Sequence, residues 1–518
     1  MKRILPSRRT RRRLLAINSV VTRRGLNWVA DEIRFRRLFR RHSAAPSRTE
    51  LTAVSLRKTL EDLGTTFIKF GQVLSTRPDL VPAEYIHELS KLQDKVPPLP
   101  YEVMERVFIE EIGAKPQDYF LTFNTVPRAS ASIGQVYDAV MLDGLRVVVK
   151  IQRPGLKERC AEDIGVLRGI ANFLAHSSVG DRIDLVGAVE EFSVSLFREL
   201  DFGVEARNAS QIRDNFKNDP AVKIPLIFPE LSSQRILTEE LIEGIRIDDL
   251  DTLDQQGFDR HALAQRCCYI ALTQIFEHRF FHADPHPGNF FVLQDGTVAM
   301  IDFGMVGRID SKTRDTLAKL VPAISNSDAD ELGESLLELG VVKLKVDRHR
   351  LTRDLQRLID EYSGKKLGEI SLGNIAGTLV DVMRRNGLQL PSNLILLIRV
   401  LSIDEGMARK LDPTFQLTEY AAPFFKKFWL EQLSPVNIAK QQVKNTLELL
   451  LASKDGIRRI ARVLSSIERG DFSINTNMSF VEGPIEELRI VARSVTRAIL
   501  ISALLITGGL IFVALHLK

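Results

Sequence analysis

The chain has 518 residues, 71 Lys and Arg against 66 Asp and Glu, and 44% hydrophobic residues, a balance that excludes a disordered chain, a collagen and a disulfide scaffold. Its three cysteines, Cys160, Cys267 and Cys268, show no CxxC spacing, which argues against a structural zinc site and for a reducing compartment. The net charge of +5 is unevenly placed: residues 1–50 carry fifteen Lys and Arg against Asp31, Glu32 and Glu50, a local +12 that leaves −7 for the rest.

The basic arm, residues 1–49, interleaves arginines with apolar residues from Leu14 to Phe39, and the first thirty residues hold no acid. It reads as an amphipathic helix on anionic lipid, as a transit peptide, or as a solvated arm. No apolar stretch there is long enough for a secretory signal, and no nucleic-acid module accompanies the charge, so neither secretion nor a nucleic-acid partner is expected. Residues 50–72 predict one helix, because Leu56, Leu60, Leu63, Phe67 and Phe70 recur at spacings of four and three. The prolines of Val96–Pro100 punctuate the chain, and Tyr101–Ile112 resumes a helix. Residues 134–141 and 146–152 read as two strands around an Asp143-Gly144 turn. Helical periodicity runs from about Gly155 to Asn208, Gln234–Leu241 is a further strand, and the rest to about residue 470 is mostly helical, with a buried-helix pattern at Leu394–Ile398. Strands early and helices late predict a two-lobed α+β body.

Between the two strands and the helical half lies the chemistry. What should precede a kinase hairpin is a G-x-G-x-x-G loop; here Ala129 to Val136 holds one glycine, Gly134, so Ala129, Ala131 and Ser132 would line a phosphate loop of different geometry. Lys150 ends Val147–Lys150 on the second strand, where kinases place the lysine that holds the α- and β-phosphates against a helix glutamate. Glu199, Asp201 and Glu205 are the candidate partners and Glu205 the first choice. It lies 55 residues downstream where a typical kinase has about twenty, which implies inserted helices. At residues 280–304, Asp284 is followed by Asn289 and then by Asp302-Phe303-Gly304. The order D-x4-N then D-F-G supplies a carboxylate near the nucleophile, and a carbonyl and a second carboxylate for Mg²⁺. A competing reading takes His282, Asp284 and His286 as Zn²⁺ or Fe²⁺ ligands, but leaves Asn289, the D-F-G and Lys150 unexplained. His282 and His286 are then expected to fix the loop. No A-P-E follows the D-F-G, so there is no room for a long activation segment.

Ala498 to Leu515 is a run of eighteen uncharged, mostly apolar residues, extending to Leu517. It predicts a transmembrane helix; the alternatives are a buried helix, or a hairpin at Gly508-Gly509 whose arms are too short to cross. Arg489, Arg493 and Arg497 precede it and only Lys518 follows, which places the bulk of the chain in the cytoplasm.

Read together, Lys69-Phe70-Gly71-Gln72 (K-x-G-Q), the alanine-rich Ala129–Val136, Lys150, Glu199-Leu200-Asp201 (E-x-D), His282–Asn289 (H-x-D-P-H-x-G-N) and the D-F-G resemble the UbiB/AarF/ADCK atypical kinases over roughly residues 50–425. Ser130 departs from the family, which more usually has a third alanine there. The resemblance implies a protein-kinase-like fold whose helical N-terminal extension lays the K-x-G-Q helix over the site, with Lys69 and Gln72 near the nucleotide and Lys69 reaching the E-x-D carboxylates. It also implies ATP and Mg²⁺ as cofactors, Asp284 as base or water-positioning residue, and slow ATPase or small-molecule phosphoryl transfer in ubiquinone or other prenylquinone biosynthesis. Partners would be anionic membrane lipid and quinone-biosynthesis enzymes or lipid precursors. The expected divisions are the arm 1–49, the extension 50–115, an N-lobe 116–238, a C-lobe 239–425, a helical linker 426–497 and the transmembrane helix 498–517, anchoring the protein at the cytoplasmic face of a bacterial inner membrane or, alternatively, at an organellar one. An ATP-binding scaffold without turnover is the alternative function. A kinase like the aminoglycoside phosphotransferases shares the D-x4-N spacing but lacks K-x-G-Q and the alanine loop.

Overall fold

A computed structural model describes residues 53–75, 81, 83–92, 96–175, 185–342, 346–362, 372–417 and 420–421. The basic arm, the linker 426–497 and the apolar segment 498–517 lie outside them. Among the described residues no helix is long and apolar enough to cross a membrane.

The helix expected over 50–72 is two, α1 (Ala53–Leu63) and α2 (Thr65–Leu74), parted at Gly64 with φ of 97°. That left-handed backbone is open to glycine and costly for other residues. The apolar stripe stays in phase across the break, so Leu60, Leu63, Phe67 and Ile68 share one core. After α3 (Ala83–Leu89), Pro100 caps the start of α4 (Tyr101–Ile112) and Gly113, at φ of 92°, closes its end.

A five-stranded sheet follows: β1 (Phe120–Phe123), β2 (Ala129–Ser130), β3 (Gly134–Met141), β4 (Arg146–Gln152) and, after an insertion, β6 (Ile236–Glu240), in the order β1-β3-β4-β6 with β2 on β3. Strand alternation sends Val147, Val149 and Ile151 to one face. There they pack with Tyr137, Ile236 and the Met104, Val107 and Phe108 of α4 into a core of their own. So α4, expected in the extension, belongs to the small lobe, because its apolar side has nowhere else to go. Val148, Lys150 and Gln152 point to the other face.

The insertion holds α5 (Leu156–Leu174) and α6 (Leu185–Glu199) ahead of α7 (Phe202–Asn215), the inserted helices that the long gap between Lys150 and Glu205 implies. Asp201 ends the run by capping α7, its carboxylate accepting from Gly203 N at 3.0 Å, the N-cap role that short acidic side chains favour. β5 (Val222–Lys223) leaves the first sheet and pairs parallel to β10 (Val298–Met300), in a second sheet ordered β5-β10-β9-β7 with β7 (Ile245–Arg246) and β9 (Phe290–Val292). The expected N-lobe boundary at 238 therefore cuts β6 and includes a strand of the other lobe.

The large lobe continues through α8 (Leu250–Gln255) and α9 (Arg260–Leu272), which widens into a π-turn at Thr273–His278 before β8 (Phe280–His282). β11 (Val306–Arg308) pairs with β8 and leads at once to α10 (Ser311–Ser325), as the missing A-P-E requires. Helices α11 (Ala329–Leu339), α12 (Arg348–Tyr362), α13 (Leu372–Arg385) and α14 (Ser392–Leu411) complete the described chain. Leu394, Leu397, Val400 and Met407 bury one stripe of α14 in the core that also holds the extension. The three cysteines are buried and unbridged.

Candidate active site

Lys150 Nζ lies 2.6 Å from Glu205 Oε1 and 3.1 Å from Glu239 Oε1. Register explains the second contact: Lys150 pairs with Leu237 across β4 and β6, which makes Glu239 its diagonal neighbour on the same face. Glu239 is buried and its Oε2 has no hydrogen-bond partner. Burial works against charge on Lys150, yet Glu205, Glu239 and Asp302 hold the amine well above its ordinary value. Glu205 is pushed up to about 7, first by burial and then by Asp302 and Glu239, against the pull of Lys150.

Helix α7 carries Glu205 and, one turn on, Asn208, whose Nδ2 donates to Phe303 O at 2.9 Å. One helix face thus fixes both the strand lysine and the D-F-G, since residues three apart are neighbours on a helix. Asp302 takes φ of 62°, a conformation uncommon outside glycine and stored at functional turns. Surrounding protein disfavours its charge, but Lys150, His282 and Lys69 outweigh this and keep the carboxyl below its ordinary range.

The loop from His282 to Asn289 is tied to itself. His282 Nδ1 accepts from Asp284 N at 3.2 Å, Asn289 Nδ2 donates to Asp284 O at 3.1 Å, and His286 Nδ1 accepts from Gly288 N at 3.1 Å. The amide nitrogen of Asn289 is thus engaged as a donor, and its Oδ1 is an acceptor by chemistry. The histidines are engaged in holding the loop, and among the described residues no group of three or more His, Cys, Asp or Glu could hold a metal ion. The competing reading of His282, Asp284 and His286 as a Zn²⁺ or Fe²⁺ centre therefore gains no support from the described residues. Gln274, aimed by the π-turn, accepts from His282 N at 2.7 Å; irregular turns of this kind recur at functional sites.

In the alanine-rich segment, Ala129 and Ser130 form β2, and Ala131 N donates to Gly134 O at 2.9 Å. The lone Gly134 serves strand packing, because a Cβ there would stand 2.6 Å from Ile151 O. Arg153 clasps the loop: Nε donates to Ala131 O at 2.9 Å, and Nη2 to Ser130 Oγ and Pro97 O at 2.8 Å each. The departure at Ser130 therefore supplies an acceptor that alanine lacks. Ser132 is buried with its hydroxyl unpartnered.

From the extension, Lys69 Nζ reaches Glu199 Oε1 at 2.5 Å. Gly71 lets α2 approach its neighbours, since a Cβ would lie 2.4 Å from a Leu92 methyl. Gln72 Nε2 donates to Leu92 O at 3.3 Å, a contact inside the extension, and Asp201 acts as the cap of α7. The structure thus gathers Lys150, Glu205 and Asp302 with Lys69 and Glu199 beside them. Two charged residues were not foreseen. Glu239 in a strand and Arg399 in an apolar helix read as solvated positions; only the register of β6 and the packing of α14 turn them inward. Arg399 Nη2 lies 3.6 Å from Asp284 Oδ1.

The ABC1 atypical kinase-like domain matches residues 91–336, and the UbiB helical domain residues 355–416. A probable protein kinase UbiB of Cellvibrio japonicus is 37% identical over 74% of this chain and 71% of its own length. Its counterpart in Pseudomonas aeruginosa is 35% identical over 80% of this chain and 79% of its own. An uncharacterized protein of Synechocystis is 34% identical over 88% of this chain and 79% of its own. A solved erythromycin complex from Mycobacterium tuberculosis is 26% identical, with a TM-score of 0.49, over 70% of this chain and 92% of that one. With a strand lysine, a helix glutamate, a D-x4-N loop and a D-F-G assembled on an α+β protein-kinase-like fold, and with relatives alike over most of their length, this chain belongs to the UbiB family of ABC1 atypical kinase-like proteins.

Proposed function

We propose that the chain binds Mg-ATP between the Lys150 face of the first sheet and the catalytic loop, and transfers its terminal phosphoryl group to water or a small acceptor in support of prenylquinone biosynthesis. The observation that carries this reading is the Lys150–Glu205 pair at 2.6 Å with the D-F-G held to the same helix by Asn208. The donor set fits the cofactors: Asn289 offers an amide oxygen and Asp302 an ionised carboxylate, two protein ligands of the kind Mg²⁺ takes beside phosphate oxygens. Bound there, Mg²⁺ would neutralise phosphate charge. Lys150 would hold the α- and β-phosphates, kept charged by Glu205. Asp284, fixed by the hydrogen bond of its N–H to His282, would orient the attacking hydroxyl and take its proton.

The extension supports a small acceptor. Lys69, salt-bridged to Glu199 and near enough to Asp302 to depress its carboxyl, stands where a protein substrate would need room. The apolar segment 498–517, with Arg489, Arg493 and Arg497 before it, supports a single-pass anchor at the cytoplasmic face of a bacterial inner membrane, and the +12 arm would meet anionic lipid there. Asp302→Asn, placed in a strain lacking the native gene, is expected to leave quinone synthesis unrestored while the protein accumulates normally. Full restoration would overturn the catalytic reading and leave the ATP-binding scaffold.

A further inference from the structure

Between Asp284 and Asn289 the catalytic loop holds no Lys or Arg. Its one ionisable neighbour, His286, has Nδ1 occupied by Gly288 N. Phosphoryl transfer spreads negative charge over the equatorial oxygens, and preorganised cations there account for much of the rate. The cations around the site are mostly committed: Lys150 to Glu205 and Glu239, Lys69 to Glu199, and Arg246, which approaches the loop at Gly288, to both oxygens of Asp248. Arg399 differs. Its guanidinium lies 3.6 Å from Asp284, too long for a strong hydrogen bond. Both side chains remain part-exposed, at 33% and 41%. Arg399 stands on α14 between Leu397 and Val400, which are buried and hold that helix in the core.

Building on the phosphoryl-transfer reading, we propose that Arg399 is a catalytic residue, a cation supplied in cis by the helical domain that contacts the transferring phosphoryl group beside Asp284. As the acceptor oxygen bonds to the γ-phosphorus, the bond to the β,γ-bridging oxygen breaks and its electron pair leaves with ADP. The acceptor proton passes to Asp284. The guanidinium, a planar fork matched to two phosphoryl oxygens, stabilises the charge at the transferring group and, between turnovers, rests against Asp284. The domain matched as helical would then complete the active site.

The test uses the full-length protein in liposomes and compares calorimetric affinity for Mg-ADP with that for Mg-ADP plus fluoroaluminate, which mimics the transferring group, alongside turnover. Arg399→Ala is expected to leave Mg-ADP affinity within about twofold while weakening the fluoroaluminate complex and slowing turnover by about 10²–10³-fold, the scale of a lost transition-state donor. Arg399→Lys, which keeps the charge, is expected to melt like the wild type and to fall between it and Arg399→Ala in affinity and turnover, since an ammonium lacks the fork. Wild-type fluoroaluminate affinity and turnover in both variants would overturn the proposal and make the pair a structural tie. If the wild-type protein itself gains no affinity from fluoroaluminate, the phosphoryl-transfer reading falls and Arg399's role with it, an outcome distinct from selective indifference of the variants.

Discussion

At Lys150 the charge balance is unusual in that one amine faces Glu205, Glu239 and Asp302. Besides Glu205 the amine is held by a second carboxylate, and Glu239 keeps an unpartnered oxygen in the interior, a state that costs free energy unless a ligand or water completes it. On the phosphoryl-transfer reading, Glu239 would compete with phosphate for Lys150. Glu239→Gln is expected to tighten Mg-ATP binding by about tenfold, which corresponds to about 1.4 kcal/mol, as read by calorimetry. Weaker binding in that variant would mean that Glu239 instead positions the lysine. Glu205 could be named as the first of three candidates, with Glu199 and Asp201, because all three lie in a stretch of helical periodicity downstream of Lys150. Glu239 could not, because alternation within a strand says which residues share a face and not which face meets the ligand.

The elements show where periodicity informs and where it misleads. The β3–β4 hairpin is legible because alternation on either side of the Asp143-Gly144 turn marks both strands. The break at Gly64 is hidden by an apolar stripe that stays in phase, and that at Leu200-Asp201 falls inside a stretch of helical periodicity; they follow from a left-handed glycine and from a cap, which are backbone chemistry and not pattern. Gly134 repeats the lesson, being needed for strand approach and not for phosphate. Gly134→Ala is expected to cost about 1–3 kcal/mol in denaturant melts, because the backbone oxygen of Ile151 cannot rotate away; an unchanged midpoint would contradict the packing. At the far end of the large lobe, His261 and Asp412 tie α9 to the end of α14 at 2.5 Å. Hydrogen bonds from His261 and then Thr414 hold the Asp412 carboxyl down at about 2. Its folded value lies below its unfolded one, so the stabilisation is whole above about pH 4 and is lost as pH falls through about 2. Asp412→Asn is expected to flatten that part of the stability-against-pH curve, with no change in slope as the contradicting result.

Across the molecule, the extension is not a loose appendage: Leu60, Phe67, Leu89 and Leu92 share a core with α5, α6 and α14, and Phe70 meets Phe192 with ring centroids 5.1 Å apart. Lys69 is thereby set at Glu199 by packing; on the proposed function, acceptor access would then be tied to the fold itself. The helical end contributes likewise through Arg399, so that both flanks of the kinase-like body close on the site. The charge split was plain in the sequence, and so was the order of motifs; the convergence of the flanks was not, since it depends on which faces of α2 and α14 are buried. The most direct test of the phosphoryl-transfer account is Mg-ATP hydrolysis by the full-length protein with and without anionic liposomes carrying a quinone-precursor mimic. Turnover that rises with both and vanishes in Asp302→Asn is the expected result. Turnover that is absent in the wild-type protein under all these conditions, or unchanged in Asp302→Asn, would contradict it.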